Sequence, residues 1–361
     1  MSWLLAFVGF ALLVILHEFG HFLAAKRVGM RVERFSLFFP PLIARKQVGE
    51  TEYAIGAVPL GGYVKITGMN PDEELDEEAK ARSYSAAPVW KRIVVIAAGP
   101  AMNLLVAFIL LLVFFWLIGP QEGTDKVQAV EKGFPAAAVL QPGDRVLSVD
   151  GVSGGPTELN EQVGKHRCEG TPKDGCKGAS AASVLVERDG RERTIELTPV
   201  YDTGVDPARM RLGFAYDPNG PRRPFGFGEA LDVSLEQFWF ITKQMLTLPA
   251  RLFDTEKRKE ISGVVGSYEV TRQTILSDLA EVVGILAIIS LSLAIVNLFP
   301  FLPLDGGHIF WALVEKIRRK PVSYRTMEQA SVVGFMLVIG LFAIGLTNDI
   351  GRLSGEGFNV R

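Results

Sequence analysis

The chain has 361 residues, which is longer than one ordinary domain, so we expect two or three structural units. Its net charge of -2 gives no bulk attraction to nucleic acid, and its two cysteines are too few for a disulfide framework that would hold the whole fold. The mean hydropathy is +0.23 although 22% of the residues are charged, which indicates that apolar residues are concentrated in separate stretches.

Four apolar stretches predict helices that cross a membrane, because about 20 apolar residues span a bilayer. They cover approximately residues 3–25, 93–118, 282–304 and 329–347, and two prolines break the third near its end. A cleaved signal peptide is the alternative for the first stretch. Against that alternative, polar residues interrupt its core and no small-residue cleavage site follows it.

Basic residues predict the side of the membrane on which each loop lies. Lysines and arginines follow the first stretch, precede the second, and lie between the third and the fourth, and such residues mark the cytoplasmic side. The N-terminus, residues 119–283 and the C-terminus are therefore expected outside the cytoplasm. Residues 1–118 and 281–361 would together form the membrane part of the protein.

The intervals between the apolar stretches predict smaller elements. Two β-rich runs around Pro59, Gly61 and Gly62 predict a hairpin-like sheet over residues 48–68. Residues 121–202 read as an α+β domain of strands, turns and a short helix, with a hairpin turn at Asp189-Gly190. In residues 203–280, an amphipathic helix is predicted over 228–252, either on the outer membrane surface or packed on that domain.

Cys168 and Cys176 bound a turn-rich insert in the outer interval. Outside the cytoplasm they could form a local disulfide, and the alternative is a pair of free thiols. His166 lies beside Cys168, but a second metal site there is not the favoured interpretation.

The motif His-Glu-x-x-His at residues 17–21 predicts a metal centre within the first apolar stretch. On a helix, His17 and His21 lie one turn apart on the same face, and their imidazoles suit zinc. Glu18 can reach a water on the metal without being a ligand, as a general base does. Ionisable residues within a membrane are costly, which favours a functional role over a chance motif.

Catalytic zinc needs a third protein ligand, and Asp305 in "NLFPFLPLDGGH" (297–308) is the candidate. Pro300 and Pro303 break the helix there, and irregular backbone at membrane depth is tolerated only inside protein or beside water. His17 lies about 21 Å along a helix that runs inward from Trp3, and Asp305 ends another inward-running segment. We therefore expect one zinc ion, in the cytoplasmic half of the bilayer.

Three further polar residues have open roles. His308 could be a ligand, a neighbour that orients a ligand, or a helix-start residue, and the second role is preferred because three ligands are already present. Asn297 could donate a hydrogen bond to the developing oxyanion or to substrate, or it could satisfy the broken helix. Asn103 could orient the site, although a hydrogen bond between helices is the more common role of such a residue.

The combination of motifs resembles the site-2 protease family, which comprises M50-type intramembrane zinc metalloproteases. The closest resemblance is to the bacterial regulator-of-sigma-E-protease type, which carries PDZ modules outside the membrane. It extends over nearly the whole chain and rests on "HEFGH", "PLGGYVK", "AAGPAMN" and "NLFPFLPLDGGH".

The resemblance implies a polytopic α-helical protein of the bacterial inner membrane, with four transmembrane helices, a membrane-associated β-hairpin or sheet, and an extracytoplasmic PDZ-like α+β domain. It implies that His17, His21 and Asp305 bind zinc and that Glu18 is the general base. Asn297 would hold the substrate or stabilise the transition state.

The resemblance also implies how substrates are engaged. The segment around Gly61 and Gly62 would offer a sheet edge to an extended substrate. The stretch "FPAAAVLQPGDRVLSVDG" resembles a bacterial PDZ domain, which could bind a peptide C-terminus, and the interval holds one such domain where the type often carries two. Expected substrates are single-span membrane proteins, such as an anti-sigma factor or leftover signal peptides, and no nucleic acid is expected.

Two other classes of function use the same residues. A membrane transporter or zinc sensor would bind the metal without hydrolysis, but pure binding does not need Glu18 beside the water. An inactive membrane scaffold would tolerate the loss of any ligand, yet all the expected groups are present.

Overall fold

The computed structural model describes residues 2–59, 61–69, 74–205, 208–251, 258, 263–278, 280–320 and 322–354. The chain forms two compact units. The first joins Met1–Leu117 with Phe225–Arg361, and the second, Ile118–Pro224, is inserted between these two parts.

The first part of the first unit is a long helix, a small sheet and a second long helix. Its elements are α1 (Ser2–Arg27), β1 (Val32–Ser36), β2 (Phe39–Val48), β3 (Thr51–Val58), β4 (Tyr63–Ile66), α2 (Glu77–Ala81) and α3 (Val89–Val113), with a π-helical turn at Phe114–Ile118. The end of α1 and the start of α3 pack on the sheet through an apolar cluster that includes Ala25, Val32, Ile66 and Val95.

The observed sheet differs from the hairpin-like sheet predicted for residues 48–68, because it includes a strand from outside this range. The strand order is β2-β3-β1-β4. Strand β1 thus lies between β3 and β4, and it pairs in parallel with β3 and antiparallel with β4. Gly61 and Gly62 therefore lie on a connection that passes over β1 rather than in a hairpin turn. The five residues of β1 follow α1 closely and are too short for a clear alternating pattern.

Glu50, between β2 and β3, joins the sheet to its flanks through two cations. Lys26 Nζ donates to its carboxylate at 2.9 Å, and Arg82 donates through both terminal nitrogens at 2.7 and 2.9 Å. Arg82 first, and then Lys26, lower the pKa of Glu50 from 4.5 to about 2. The ionised carboxylate is therefore held in the folded state over a wide pH range.

We expect Glu50→Gln to lower the melting temperature by about 1–3 °C at neutral pH, as for a partly exposed ion-pair cluster. Because the folded pKa lies below the ordinary value, the stabilisation is complete above pH 4.5 and is lost as the pH falls toward 2. Thermal unfolding of both proteins over this range should show the difference shrinking with acidity. A difference that is constant with pH would contradict this assignment.

The described residues of the second unit form three small sheets, one α-helix and a 3-10 turn at Pro135–Ala138. Its elements are β5 (Val127–Val130), β6 (Arg145–Val149), β7 (Val152–Ser153), α4 (Pro156–Gly164), β8 (Ala182–Arg188), β9 (Arg191–Leu197), β10 (Val200–Asp202), β11 (Arg209–Arg211) and β12 (Phe214–Tyr216). The main sheet has the order β7-β6-β8-β9, and the other two pair β10 with β11 and β12 with β5. The predicted turn at Asp189-Gly190 joins β8 to β9, with positive φ at both residues, as a tight hairpin requires.

The unit extends beyond the predicted end at residue 202. Strand β12 pairs with β5, the first strand of the unit, so residues after 202 complete it and the compact unit ends at Pro224. Strands of three residues are too short to stand out in the sequence. Cys168 and Cys176 form a disulfide whose Cα atoms are 6.0 Å apart.

The chain then returns to the first unit, where the described residues form five helices. They are α5 (Phe227–Arg251), α6 (Val264–Ser277), α7 (Glu281–Asn297), α8 (Asp305–Arg318) and α9 (Tyr324–Ser354). Helix α5 corresponds to the predicted amphipathic helix 228–252. Its apolar face packs on α3 and α7, where Phe238, Ile241 and Met245 meet Ala107 and Leu291. Among the described residues, its apolar face is therefore covered by α3 and α7.

In the described residues, three helices are long and apolar enough to cross a membrane: Phe7–Arg27, Val89–Ile118 and Arg325–Ser354. The third predicted span is shorter than expected, because α7 has 17 residues and ends at Asn297 rather than near residue 304. Pro300 and Pro303 lack backbone N–H donors and disfavour helical geometry in the residues before them. Helix α3 packs against α1, α7 and α8 and so lies at the centre of the helical unit.

Candidate metal centre

Helix α1 presents two buried histidines toward the centre of the unit. His17 and His21 are 6% and 8% exposed, and their Nε2 atoms lie 3.3 Å apart. The spacing of four residues places both rings on one face of the helix, as the sequence predicts.

Asp305, the first residue of α8, completes a cluster with these two rings. Its Oδ2 atom lies 3.1 Å from His17 Nε2 and 3.3 Å from His21 Nε2. Ligands about 2.0–2.1 Å from a tetrahedral zinc ion lie about 3.3 Å from one another, so the three atoms have the spacing of one face of such a site. Two imidazole nitrogens and a carboxylate oxygen are also a donor set that zinc accepts. The described residues therefore fit a zinc ion.

The orientation of His21 is fixed from α3. Its Nδ1 atom lies 2.9 Å from the backbone oxygen of Val95, which can only accept a hydrogen bond. The proton of the neutral imidazole is thereby on Nδ1, and the lone pair of Nε2 is directed at the cluster. His17 Nδ1 is buried without a hydrogen-bond partner among the described residues.

Two glycines allow α1 and α3 to approach closely at the cluster. A Cβ atom built on Gly99 would lie 2.3 Å from His21 Nε2 and 2.9 Å from His17 Nε2. One built on Gly20 would lie 2.3 Å from the backbone oxygen of Ala98. The space that the two imidazoles occupy therefore depends on the missing side chain of Gly99.

The loop between α7 and α8 brings Asp305 to this place. A Cβ atom on Gly306 would lie 2.2 Å from the backbone oxygen of Leu298, and one on Gly307 would lie 2.4 Å from the nitrogen of Leu302. The loop thus folds tightly back on the first turn of α8. Both glycines therefore allow a close approach of the chain that a side chain would prevent.

A cavity of about 310 Å³ opens beside the cluster. Its lining includes apolar side chains, two of them from β4. It also includes six polar residues: His17, Glu18, His21, Asn297, Asp305 and His308. Glu18, Asn297 and His308 were predicted to support the centre, and the structure brings all three to its cavity. A Cβ atom on Gly62 would lie 3.4 Å from Glu18 Cγ, so this glycine packs beside the glutamate, whereas Gly61, with a φ of +147°, packs against the Phe39 ring.

Asn103 is fully buried on α3 but does not line the cavity. Ser290 on α7 donates a hydrogen bond to its backbone oxygen at 2.9 Å, and its side-chain amide has no partner among the described residues. The contact between α3 and α7 therefore uses the backbone of Asn103 and not the predicted side chain.

His166, in the second unit, has both ring nitrogens engaged. Nε2 lies 2.9 Å from Asp150 Oδ2 and Nδ1 lies 3.0 Å from Ser180 Oγ. Among the described residues, the metal-binding arrangement of histidine, cysteine and carboxylate groups is that of His17, His21 and Asp305.

Comparison with known proteins places this site in a family. Residues 5–341 match peptidase family M50. The chain belongs to peptidase family M50. As an M50 peptidase with apolar helices of membrane-spanning length, it is a zinc-dependent intramembrane protease.

Similar proteins occur in several bacteria, and each of the following is named "putative zinc metalloprotease". A protein of Campylobacter jejuni is 29% identical over 359 residues, 95% of this M50 chain and 92% of its own. One from Nostoc is 29% identical over 366 residues, 99% of this chain and 98% of its own. One from Brucella suis is 30% identical over 359 residues, 93% of this chain and 92% of its own.

Sequence reasoning missed the parts of this M50 site that α3 supplies. Val95 acts through its backbone, and Gly99 acts through an absent side chain, so neither carries a chemical signature of its own. The motif "AAGPAMN" was noticed for Asn103, whereas the residue beside the imidazoles is the glycine four positions earlier.

Proposed function

We propose that His17, His21 and Asp305 hold the zinc ion of this peptidase and that Glu18 is its general base. The observation that carries the proposal is the mutual spacing of the three ligand atoms, 3.1–3.3 Å, beside a cavity that Glu18 also lines. Glu18, which follows His17 on α1, thus lines the same cavity as the three ligands but is not one of the clustered ligand residues.

Bound zinc supplies a Lewis acid that lowers the pKa of water toward neutrality and polarises a carbonyl. Glu18 takes the proton of the attacking water and returns it to the leaving amine. The Val95 carbonyl keeps His21 in the tautomer that a ligand needs. Asn297, at the end of α7, donates to the substrate carbonyl as negative charge develops on it, and His308, one turn after Asp305, orients that ligand.

The edge of the small sheet is proposed to hold the substrate. Strand β4 is an edge strand, and its residues Val64 and Ile66 line the cavity. An extended peptide that paired with this edge would have its backbone exposed beside Glu18 rather than enclosed in a helix. Gly61 and Gly62 shape the connection that leads into β4, and Gly62 leaves room for Glu18.

We further propose four membrane spans. Besides the three long apolar helices, α7 and the loop that follows it would form a span, which is the third in chain order. A helix of 17 residues is about 26 Å long, close to the hydrocarbon thickness of a bilayer. The distribution of basic residues supports extracytoplasmic termini, an extracytoplasmic second unit, and a zinc site in the cytoplasmic half of the bacterial inner membrane.

The second unit is proposed to be a PDZ-like domain, as in the regulator-of-sigma-E-protease type. Its support is the small α+β architecture and the segment "FPAAAVLQPGDRVLSVDG", which forms a 3-10 turn, a tight turn and strand β6. A peptide C-terminus is its proposed ligand. The interval of this chain holds one such unit, Ile118–Pro224.

The proposed substrates are single-span membrane proteins, including anti-sigma factors and remnant signal peptides. The test compares the membrane proteins of cells that produce the wild type with those of cells that produce Glu18→Gln. Single-span precursors should accumulate only in the second. Cells in which no single-span protein changes in length or abundance would contradict the proposal and would favour zinc transport or sensing.

A further inference from the structure

Arg92 and Glu315 form a bidentate ion pair between α3 and α8. Arg92 Nη1 donates to Glu315 Oε2 at 2.9 Å, and Nη2 donates to Oε1 at 2.7 Å. The two side chains are 13% and 26% exposed, so the pair is largely buried. The guanidinium carbon also lies 6.0 Å from the centre of the Tyr84 ring. Parallel hydrogen bonds of this kind fix the relative position of two groups more strictly than a point-charge contact does.

Each residue of this pair lies on a helix that also contributes to the zinc cluster. Arg92 lies one helical turn before Val95, whose carbonyl accepts the hydrogen bond from His21. Glu315 lies on the helix that Asp305 begins, about 15 Å from it at 1.5 Å per residue. Gly306 and Gly307 let the first turn of α8 lie close against the preceding loop, and Arg92 binds the far part of the helix to α3.

We propose that the Arg92–Glu315 pair is a positioning device for the third zinc ligand. It fixes α8 to α3, the helix that also orients His21, so that Asp305 Oδ2 meets the two imidazoles at zinc-ligand spacing. The inference rests on the proposed ligand set. A merely structural pair would stabilise the unit without setting the affinity for the metal.

The test measures zinc affinity by competition with a chelator for four variants of the whole protein: Arg92→Gln, Glu315→Gln, the double variant, and the exchanged pair R92E/E315R. Residues that orient ligands typically change metal affinity by about 10–100-fold, so we expect each single variant to bind zinc about tenfold more weakly. The double variant should be no weaker than either single one, because the two groups act as one unit. The exchanged pair should recover most of the affinity, and excess zinc should restore cleavage by Arg92→Gln.

Arg188→Gln is the matched control. Arg188 makes a bidentate pair with the buried Asp144 in the second unit, at 2.6 Å through each nitrogen, so its loss removes a comparable contact from the unit that does not contain the zinc cluster. It should leave zinc affinity unchanged. Wild-type zinc affinity in Arg92→Gln, or equal losses in Arg92→Gln and Arg188→Gln, would overturn the inference.

Asp305→Asn separates this inference from the ligand assignment. If Asp305→Asn binds zinc as tightly as the wild type, the proposed ligand set is wrong. If Asp305→Asn binds zinc more weakly and Arg92→Gln keeps the wild-type affinity, the ligand set stands and only the positioning role fails.

Discussion

Glu18→Gln is expected to lower the cleavage rate about 10²–10⁴-fold, the range that a positioned general base contributes. Glutamine has nearly the shape of glutamate but cannot take a proton from water. Because Glu18 lines the cavity and is not part of the three-atom cluster, the zinc content should stay at one ion per chain. The measurement is cleavage of a single-span reporter by purified protein, together with its zinc content.

Glu229→Gln is a suitable control for this substitution, because Glu229 is an exposed residue in the first turn of α5. It should cleave at the wild-type rate. A Glu18→Gln protein that holds zinc and still cleaves within a few-fold of the wild type would show that another group takes the proton.

Gly99→Ala is expected to remove zinc binding although it changes no ligand. The added methyl carbon would lie 2.3 Å from His21 Nε2 and 2.9 Å from His17 Nε2, far inside van der Waals contact. Close-packed interiors relax only partly, so either the rings or the helices must move, and the spacing of the three ligand atoms is lost. We expect zinc affinity to fall by at least about 100-fold, the upper range for a disturbed ligand environment.

Gly340→Ala tests whether this loss is specific to the position. Gly340 lies in α9, and a Cβ atom there meets no heavy atom within 4 Å. The same substitution at this position should leave the zinc affinity unchanged and slightly favour the helix. Full zinc content in Gly99→Ala would mean that the helices separate more readily than their packing indicates.

The three proposed ligands could be predicted from sequence because their signals are local or chemically explicit. His17 and His21 are four residues apart on one helix, so elementary helix geometry puts them together. Asp305 required a longer step, since nearly 290 residues separate it from His21, but a carboxylate after two prolines at matched membrane depth is conspicuous.

The supporting parts could not be predicted because they are defined only by the packing of distant segments. Gly99 matters through the space that it leaves, and Val95 through a backbone carbonyl that every residue type possesses. Strand β1 lies between β3 and β4 in the sheet, although the sequence of residues 48–68 predicts that β3 and β4 pair directly as a hairpin. Likewise, β12 closes the second unit by pairing with β5 more than 80 residues earlier, a register that no local pattern encodes.

The X-ray absorption spectrum of zinc in the purified protein tests the ligand set most directly. We expect a first shell at about 2.0–2.1 Å, with two imidazoles and the remaining ligands oxygen. In His21→Ala, whatever zinc is retained should show one imidazole fewer. A thiolate contribution in the wild type, or a spectrum that His21→Ala leaves unchanged, would show that zinc is bound elsewhere.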